Sequence, residues 1–436
     1  MIKRLITIAL LTGAGHITTL LSLKFIAKSV GTSTIAFIGE IDSLSLLIIS
    51  VVAFGLQLST TRELAILEDW KNEYYTTQSA RFSLSLLLML FGFTGFYVTK
   101  NYLFFIAPII ALNADYALYG RGKPIAGAFV AFLRILIPSI TLIFFSTYFR
   151  ELLGLFYSLS IVVAYLLAGV LVSKILKVKY FVAPKAKNLF KYIHNLRIGV
   201  ASFALFFVGI GIINVLSYFN NSETIAIAYM ALKLYLIFKG VRRIIVQSFF
   251  KELQNEIVSI KVDLFAIIAG VVFLATVVFY PKVLITLLFD EKYSIYTTTF
   301  TILGIAGFLS SFTTSSGTRL LLQKKDSAYS FNLILAAIVT IVSGVLFGTF
   351  IGDEPYLIAI SVLLGEISIS MLNIYALKEK KFLVNRLKFV FPLILTASIF
   401  VVCRYSFNQT ILSFLTALVL FGIIAVYYLK IIKFLK

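Results

Sequence analysis

Stretches of about 20 mainly apolar residues follow one another along almost the whole 436-residue chain. As a helix, such a stretch is long enough to cross the roughly 30 Å hydrocarbon core of a bilayer. The mean hydropathy is +1.00 and hydrophobic residues make up 60% of the sequence. This composition leaves no room for a sizeable soluble domain, so the chain is predicted to lie almost entirely within a membrane.

The apolar segments are continuous runs, as in 86–91 and 267–279, and not short alternating strands. In lipid every backbone polar group needs an internal partner, so only helices and closed barrels span a bilayer, and barrel strands would alternate over about ten residues. The pattern predicts an all-α integral membrane protein with fourteen transmembrane helices. The predicted spans are 5–27, 35–61, 82–99, 102–119, 125–147, 152–173, 198–218, 224–248, 264–289, 297–321, 329–351, 356–377, 388–404 and 409–430.

The spacing of these helices predicts two lobes of six helices followed by a separate pair. In both lobes a short external loop joins the first two helices, and a long charged internal loop follows the second; these loops are 62–81 and 239–261. An even helix number in each lobe makes the lobes parallel repeats about an axis along the membrane normal. The predicted organisation is an N-lobe at 1–173, a basic cytoplasmic linker at 174–197, a C-lobe at 198–377 and a C-terminal helix pair at 378–436.

The formal net charge is +20, which in a soluble protein would suggest a nucleic-acid partner. Here most of the 39 Lys and Arg residues fall at the two termini and in one alternating set of connections. This is the positive-inside pattern, in which basic residues remain on the cytoplasmic side. Both termini are therefore predicted to be cytoplasmic, the basic charge is expected to meet anionic lipid headgroups, and no nucleic-acid partner is predicted.

The predicted linker is the most basic connection of the chain. It is either a solvated topology signal or a segment that lies on the membrane surface. Its basic residues are Lys174, Lys177, Lys179, Lys185, Lys187, Lys191 and Arg197.

Sequence signatures of enzymes are absent. The chain has no Walker A loop, no GxSxG elbow and no HExxH pair. Its external loops are too short to fold into a catalytic domain, and its single cysteine, Cys403, excludes an intramolecular disulfide and a cysteine-rich metal site. The chain is predicted not to be an enzyme and to use no cofactor or metal.

Three basic residues lie within the predicted spans. An ionisable residue there costs roughly 2.5–3.5 kcal/mol on insertion scales and is a functional candidate by default. Lys233 and Arg134 lie near the middle of spans eight and five; each either lines a cationic cavity or pairs with a buried carboxylate such as Glu366 or Asp115. Lys24 lies toward the outer end of span one, where it either contributes to the cavity or snorkels to the headgroups.

Two carboxylates and one histidine are candidates for ion coupling. Glu366 lies mid-span in the twelfth helix, and Ser370 and Asn373 share its face, so this face is either a coupling site or an interhelical hydrogen-bond seam. Asp115 lies near the inner end of span four, where helix capping is the alternative. His16 in span one either titrates near neutral pH or makes a single interhelical hydrogen bond.

The segment from Val52 to Ala65, with the sequence VAFGLQLSTTRELA, resembles the end of the second helix in Wzx-type polysaccharide flippases. The layout of two six-helix lobes, a basic central linker and a C-terminal pair is similar as well. These flippases form the polysaccharide branch of the multidrug/oligosaccharidyl-lipid/polysaccharide exporter superfamily. The resemblance implies transport of an undecaprenyl-pyrophosphate-linked oligosaccharide across the bacterial cytoplasmic membrane by ion-coupled alternating access, for the synthesis of a surface polysaccharide such as O-antigen, capsule or exopolysaccharide.

The resemblance also implies a cationic central cavity, because a pyrophosphate cannot cross hydrocarbon without charged partners. It implies a polysaccharide polymerase and a chain-length regulator as partners, besides membrane lipids, and the chain is expected to function as a monomer. The implied substrate-binding residues are Lys24, Arg134, Lys233 and Arg62, and the candidate coupling residues are Glu366, Asp115 and His16.

Three other functions fit parts of the sequence. A drug/cation antiporter of the same superfamily would have twelve helices and an acidic lobe cavity. A sugar-repeat polymerase would need a large external loop with catalytic Arg or His residues. A flippase of the lipid II branch would use the same lobes with a richer set of arginines.

Overall fold

The computed structural model describes residues 2–99, 103–249, 252–253, 255–379, 381–407 and 410–431. Among them, ten helices are long and apolar enough to cross a membrane, or twelve if each of two bent helix pairs counts as one span. These twelve correspond to predicted spans one, two and five to fourteen. The all-helical membrane architecture of the prediction is therefore present. Predicted spans three and four are not among the twelve; the helices at these positions are Trp70–Thr99, Ala107–Leu112 and Asp115–Gly120.

The chain forms two compact units, Met1–Phe206 and Phe207–Lys436. The boundary falls inside predicted span seven, so the basic linker belongs to the first unit. Within that unit α1 packs on α7, and α7 packs on α8. The helices of the first unit are α1 (Ile2–Ser29), α2 (Thr32–Ala53), α3 (Leu56–Ile66), α4 (Trp70–Thr99), α5 (Ala107–Leu112), α6 (Asp115–Gly120), α7 (Pro124–Tyr148), α8 (Leu153–Leu176), α9 (Phe190–His194) and α10 (Leu196–Phe207).

In the second unit α17 packs on α18, α15 packs on α13 and α18, and the C-terminal helices share a hydrophobic core with α13. Phe400 and Phe421 lie in that core. The helices of the second unit are α11 (Ile213–Leu216), α12 (Ser222–Ser248), α13 (Glu256–Phe279), α14 (Pro281–Leu288), α15 (Thr297–Ser311), α16 (Ser316–Leu322), α17 (Asp326–Phe350), α18 (Pro355–Leu377), α19 (Phe382–Thr396), α20 (Ser398–Ser406) and α21 (Ile411–Ile431).

In the part of the chain that the structure describes, six predicted spans (two, four, seven, nine, ten and thirteen) are interrupted where the sequence predicted continuous helices, and three of these breaks have identified partners. Span two divides into α2 and α3 at Phe54 and Gly55, which have φ values of 26° and 77°. Span four divides into α5 and α6 at 113–114, and span ten divides into α15 and α16 at 312–315. Left-handed residues and turns end the hydrogen-bond ladder of a helix and free backbone groups that need other partners.

Side chains from other helices supply those partners. The hydroxyl of Tyr192 donates to the carbonyl of Val52 at the first break (2.6 Å). At the second break, Arg81 Nη1 donates to the carbonyl of Asn113 (2.6 Å). A carboxylate oxygen of Asp263 accepts from the Ser315 N–H at the third break (2.7 Å). Each of these three breaks is thus stabilised by a residue far away in sequence, which local sequence patterns do not reveal.

The predicted internal loops 62–81 and 239–261 are mostly helical. In the first of them only 67–69 separate α3 from α4, and in the second α12 continues to Ser248 and α13 begins at Glu256. The sequence pattern assigns both segments to internal loops because they are long and charged. Both segments are charged, but several of their basic residues point into the protein and do not lie in solvated loops.

Candidate functional site

Arg134 in the first unit is paired with a carboxylate. Its Nη2 lies 2.6 Å from Asp115 Oδ2, and only 18% of the Arg134 side chain and 8% of the Asp115 side chain are exposed. The guanidinium also lies over the ring of Tyr165 on α8, 5.4 Å from its centroid. Pro138, one turn further along α7, is inside a continuous helix. Of the two alternatives for Arg134, the structure shows the pairing with a buried carboxylate. This pairing brings two of the predicted site residues, Arg134 and Asp115, into contact.

The pair continues into a second buried arginine. Asn113 Nδ2 donates to Asp115 Oδ1 (3.3 Å), and the Asn113 carbonyl accepts from Arg81. Arg81 is 5% exposed, donates to Gln78 Oε1 (2.9 Å) and lies over the ring of Tyr116. Two arginines and one carboxylate thus form a continuous hydrogen-bonded chain around the break between α5 and α6, with an excess of positive charge.

The other predicted residues of the first unit lie elsewhere. Lys24 and His16 are on α1 and are half-buried. Thr12 and Thr19, which share a face with His16, donate to carbonyls of their own helix. Arg62 lies in α3, and its side chain is outside the part of the chain that the structure describes.

Glu366 forms the centre of a charged cluster in the second unit. It is 4% exposed, and its Oε1 lies 2.7 Å from Lys239 Nζ. Arg242, one turn after Lys239 on α12, donates to the hydroxyls of Ser310 and Thr314 on or next to α15. The cluster therefore contains two cations and one carboxylate, and the second cation is held by neutral oxygens.

Lys233 lies on the same helix as Lys239, nearly two turns before it. It is half-buried, and its ammonium lies over the ring of Tyr229, 5.5 Å from the centroid. Lys233, Lys239 and Arg242 bring three basic residues onto α12 within the bundle. Lys239 is ion-paired with Glu366, and α12 carries four basic residues against one acidic residue, Glu223, which makes this helix cationic.

The polar face of α18 makes hydrogen bonds along its length. Ser370 Oγ lies 2.9 Å from Thr313 Oγ1. Asn373 accepts from Asn332 Nδ2 (2.9 Å) and donates to Ser316 Oγ (3.2 Å). The face therefore forms an interhelical hydrogen-bond seam, and it also carries the ion pair of Glu366 with Lys239.

The sequence-based search for site residues omitted Arg81, Lys239 and Arg242 because it assigned them to the ends of internal loops. A signal was present for two of them: Tyr235, Lys239 and Arg242 are spaced i, i+4 and i+7, the period of one helix face. No comparable pattern marks Arg81. Among the described residues, no group of three or more His, Cys, Asp or Glu side chains is arranged to hold a metal ion.

Solved transporter structures resemble this chain along most of its length. A lipid II flippase, MurJ, in an inward closed conformation matches with a TM-score of 0.71 at 14% sequence identity, over 98% of this chain and 100% of that one. The chain shares the fold of these transporters. A MATE protein in complex with MaL6 matches with a TM-score of 0.58 at 13% identity, over 88% of this chain and 96% of that one.

A further match is the outward-facing conformation of a multidrug resistance MATE family transporter of the MOP superfamily. Its TM-score is 0.52 at 14% identity, over 88% of this chain and 95% of that one. No protein-family profile and no curated protein sequence matches the chain. At these identities the similarity shows a transporter fold of a multi-pass membrane protein and does not by itself distinguish a lipid-linked substrate from a drug.

Proposed function

We propose that this protein is a flippase that moves undecaprenyl-pyrophosphate-linked oligosaccharide units across the bacterial cytoplasmic membrane by ion-coupled alternating access, for the synthesis of a surface polysaccharide. The observation that carries the proposal is the cationic cluster of α12. Lys239 pairs with the carboxylate of Glu366, while Arg242 is held by hydroxyl groups. Lys233 lies on the same helix. A site with excess positive charge suits an anionic substrate, whereas a cationic drug favours an acidic one.

Pyrophosphate chemistry explains why such a cluster would be useful. The oxygens of a pyrophosphate group lose their bound water on entering a low-dielectric site and need charge-assisted hydrogen bonds in exchange. In the cluster, Glu366 and the hydroxyls of Ser310 and Thr314 already hold the two cations in place. The substrate would replace these internal acceptors, so that the cations are never left buried without a partner.

The remaining substrate contacts are assigned to residues of the first unit and to α12. We propose that these contacts come from Lys24, Arg62, Arg134 and Lys233. The first unit also holds Arg81, whose burial beside Asn113 makes it a further candidate. The proposed topology has fourteen crossings with both termini cytoplasmic, which counts the predicted spans 82–99 and 102–119 as membrane segments.

Ion coupling is assigned to the carboxylates that hold the cations, Glu366 and Asp115, with His16 as a third candidate. Each carboxylate is paired with one basic side chain. Protonation of the carboxylate, or its binding of sodium, would release that basic side chain to the substrate. Coupling therefore follows from competition between the coupling ion and a basic side chain of the protein for the same carboxylate oxygens.

Glu366→Gln tests this competition. The amide cannot take up a proton or bind sodium as a carboxylate does, so the dependence of transport on pH or sodium is expected to flatten. Transport would be measured in membrane vesicles over a range of pH and sodium concentrations. Glu354→Gln is the matched control, because Glu354 is exposed at the N-terminal end of the same helix. An ion dependence identical to that of the wild type would assign Glu366 a purely structural role.

The alternative function is a drug/cation antiporter, favoured by the similarity to the MATE structures. The two functions are separated by expressing the protein in cells that lack both their own drug exporters and their own polysaccharide flippase. We expect unchanged drug resistance and restored surface glycan. Resistance without any glycan export would favour the antiporter.

The lipid II branch is distinguished by the substrate. The similarity to MurJ over the full length of both chains supports a lipid-linked substrate in general. Rescue of cells depleted of their lipid II flippase would assign the chain to that branch, and we expect no rescue.

A further inference from the structure

The break between α2 and α3 lies inside the segment from Val52 to Ala65. Phe54 has φ 26° and ψ 56°, and Gly55 has φ 77° and ψ −19°. A bulky residue at positive φ is a strained conformation that persists only when the surrounding structure holds it. The bend in this helix therefore needs an external restraint.

The first restraint acts on the part of the helix before the break. The hydroxyl of Tyr192 on α9 donates to the carbonyl of Val52 over 2.6 Å, and both groups are buried. In a continuous helix this carbonyl would accept from the Leu56 N–H, four residues further on. The Tyr192 hydroxyl therefore occupies the acceptor that the helix would need in order to straighten.

The second restraint acts on the part after the break and comes from the neighbouring residue. Lys191 Nζ lies 3.7 Å from Glu63 Oε2 on α3, donates to Thr77 Oγ1 on α4 (2.8 Å) and forms an ion pair with Glu73. Burial lowers the pKa of Lys191, and the charge of Glu63 opposes this shift. Two consecutive residues thus bind the two sides of the break.

Close backbone packing holds α10 directly against the bend. A Cβ atom on Gly55 would lie 2.6 Å from the backbone nitrogen of Gly199. A Cβ atom on Gly199 would in turn lie 2.3 Å from a ring carbon of Phe54. Neither position has space for a side chain, so the start of α10 packs directly against the backbone of the bend.

We propose that Lys191 and Tyr192 form a latch that sets the bend between α2 and α3 and thereby positions α3, the helix that contains Arg62. Release of the Tyr192 hydroxyl from Val52, or of Lys191 from Glu63, allows the helix to straighten. α10 follows the latch directly in sequence and packs against Phe54 and Gly55. A displacement of α9 and the start of α10 therefore acts on the bend. The inference concerns the conformation of one helix and does not depend on which substrate is carried.

Distances between two spin labels test the latch in the purified full-length protein. Cys403 is the only cysteine, so Cys403→Ser gives a background without cysteines, and Ser33→Cys with Ile66→Cys places one label on each side of the break at exposed positions. A continuous helix would separate these positions by about 50 Å at 1.5 Å per residue, and the bend shortens this distance. Tyr192→Phe keeps the aromatic ring and removes only the hydroxyl.

The expected result for Tyr192→Phe is a second population, longer by about 5 Å or more, which is one helical turn. Lys191→Gln is expected to act in the same direction and carries the test if Tyr192→Phe does not fold. Tyr180→Phe and Lys187→Gln are the controls, because they change the same linker away from the bend. An unchanged distance distribution in both latch variants would overturn the proposal, and neither result bears on whether the protein is a flippase.

Discussion

Replacing Lys233 by alanine is expected to reduce glycan export by roughly ten- to a hundredfold, while the protein remains in the membrane at wild-type amount. A reduction of this size corresponds to the loss of one charge-assisted hydrogen bond to a phosphate oxygen, which contributes about 1.5–3 kcal/mol. Lys233 lies near the middle of α12, half-buried and stacked on Tyr229 of its own helix. The measurement is the amount of surface glycan together with the cytoplasmic lipid-linked intermediate.

Two variants separate the charge of Lys233 from other effects. Lys233→Arg retains the positive charge and is expected to retain a substantial part of the export. Lys28→Ala removes an exposed lysine at the end of α1 and is expected to have no effect. Wild-type export by Lys233→Ala would remove this residue from the proposed site.

Replacing Asp263 by alanine is expected to lower the free energy of unfolding by about 3–5 kcal/mol, the usual cost of removing one partner of a buried ion pair. Asp263 Oδ2 lies 2.7 Å from both Nη2 and Nε of Arg386, and the exposed fractions of the two side chains are 0% and 1%. Asp263 also accepts from the backbone and hydroxyl of Ser315 at the break between α15 and α16. The substitution leaves the Arg386 charge buried, so α19 should loosen from α13.

The control for this prediction removes both charges at once. Asp263→Leu combined with Arg386→Met replaces the pair by apolar side chains, and such replacements are often neutral or stabilising. We therefore expect the double variant to recover part of the stability lost in the single one, as measured by thermal unfolding in detergent, because the acceptor of the Ser315 N–H remains absent. A single variant as stable as the wild type would show that the pair does not fasten α19.

The sequence was sufficient to predict the helical membrane fold and most of the spans. Apolar runs such as 267–279 are long and uninterrupted, and their interpretation needs only the thickness of a bilayer. The breaks in spans two, four and ten were not predicted, because each depends on a distant partner. Nothing near Phe54 indicates that Tyr192 will take the carbonyl of Val52, 140 residues away.

The candidate site was predicted in part, for a similar reason. Arg134, Asp115 and Glu366 stood out because they lie in the middle or at the end of apolar spans. Lys239 and Arg81 lie near span ends, where the positive-inside rule assigns basic residues to the cytoplasm. Their burial is decided by tertiary partners such as Glu366 for Lys239 and the Asn113 carbonyl for Arg81.

The most direct test of the proposed flippase activity is complementation of strains that lack their own polysaccharide flippase, with matched glycan systems. Surface glycan and the lipid-linked intermediate on the cytoplasmic side are measured together. The proposal predicts that surface glycan returns while the cytoplasmic intermediate falls. Absence of surface glycan in every system tested, with the protein verified in the membrane and the intermediate still accumulating, would contradict it.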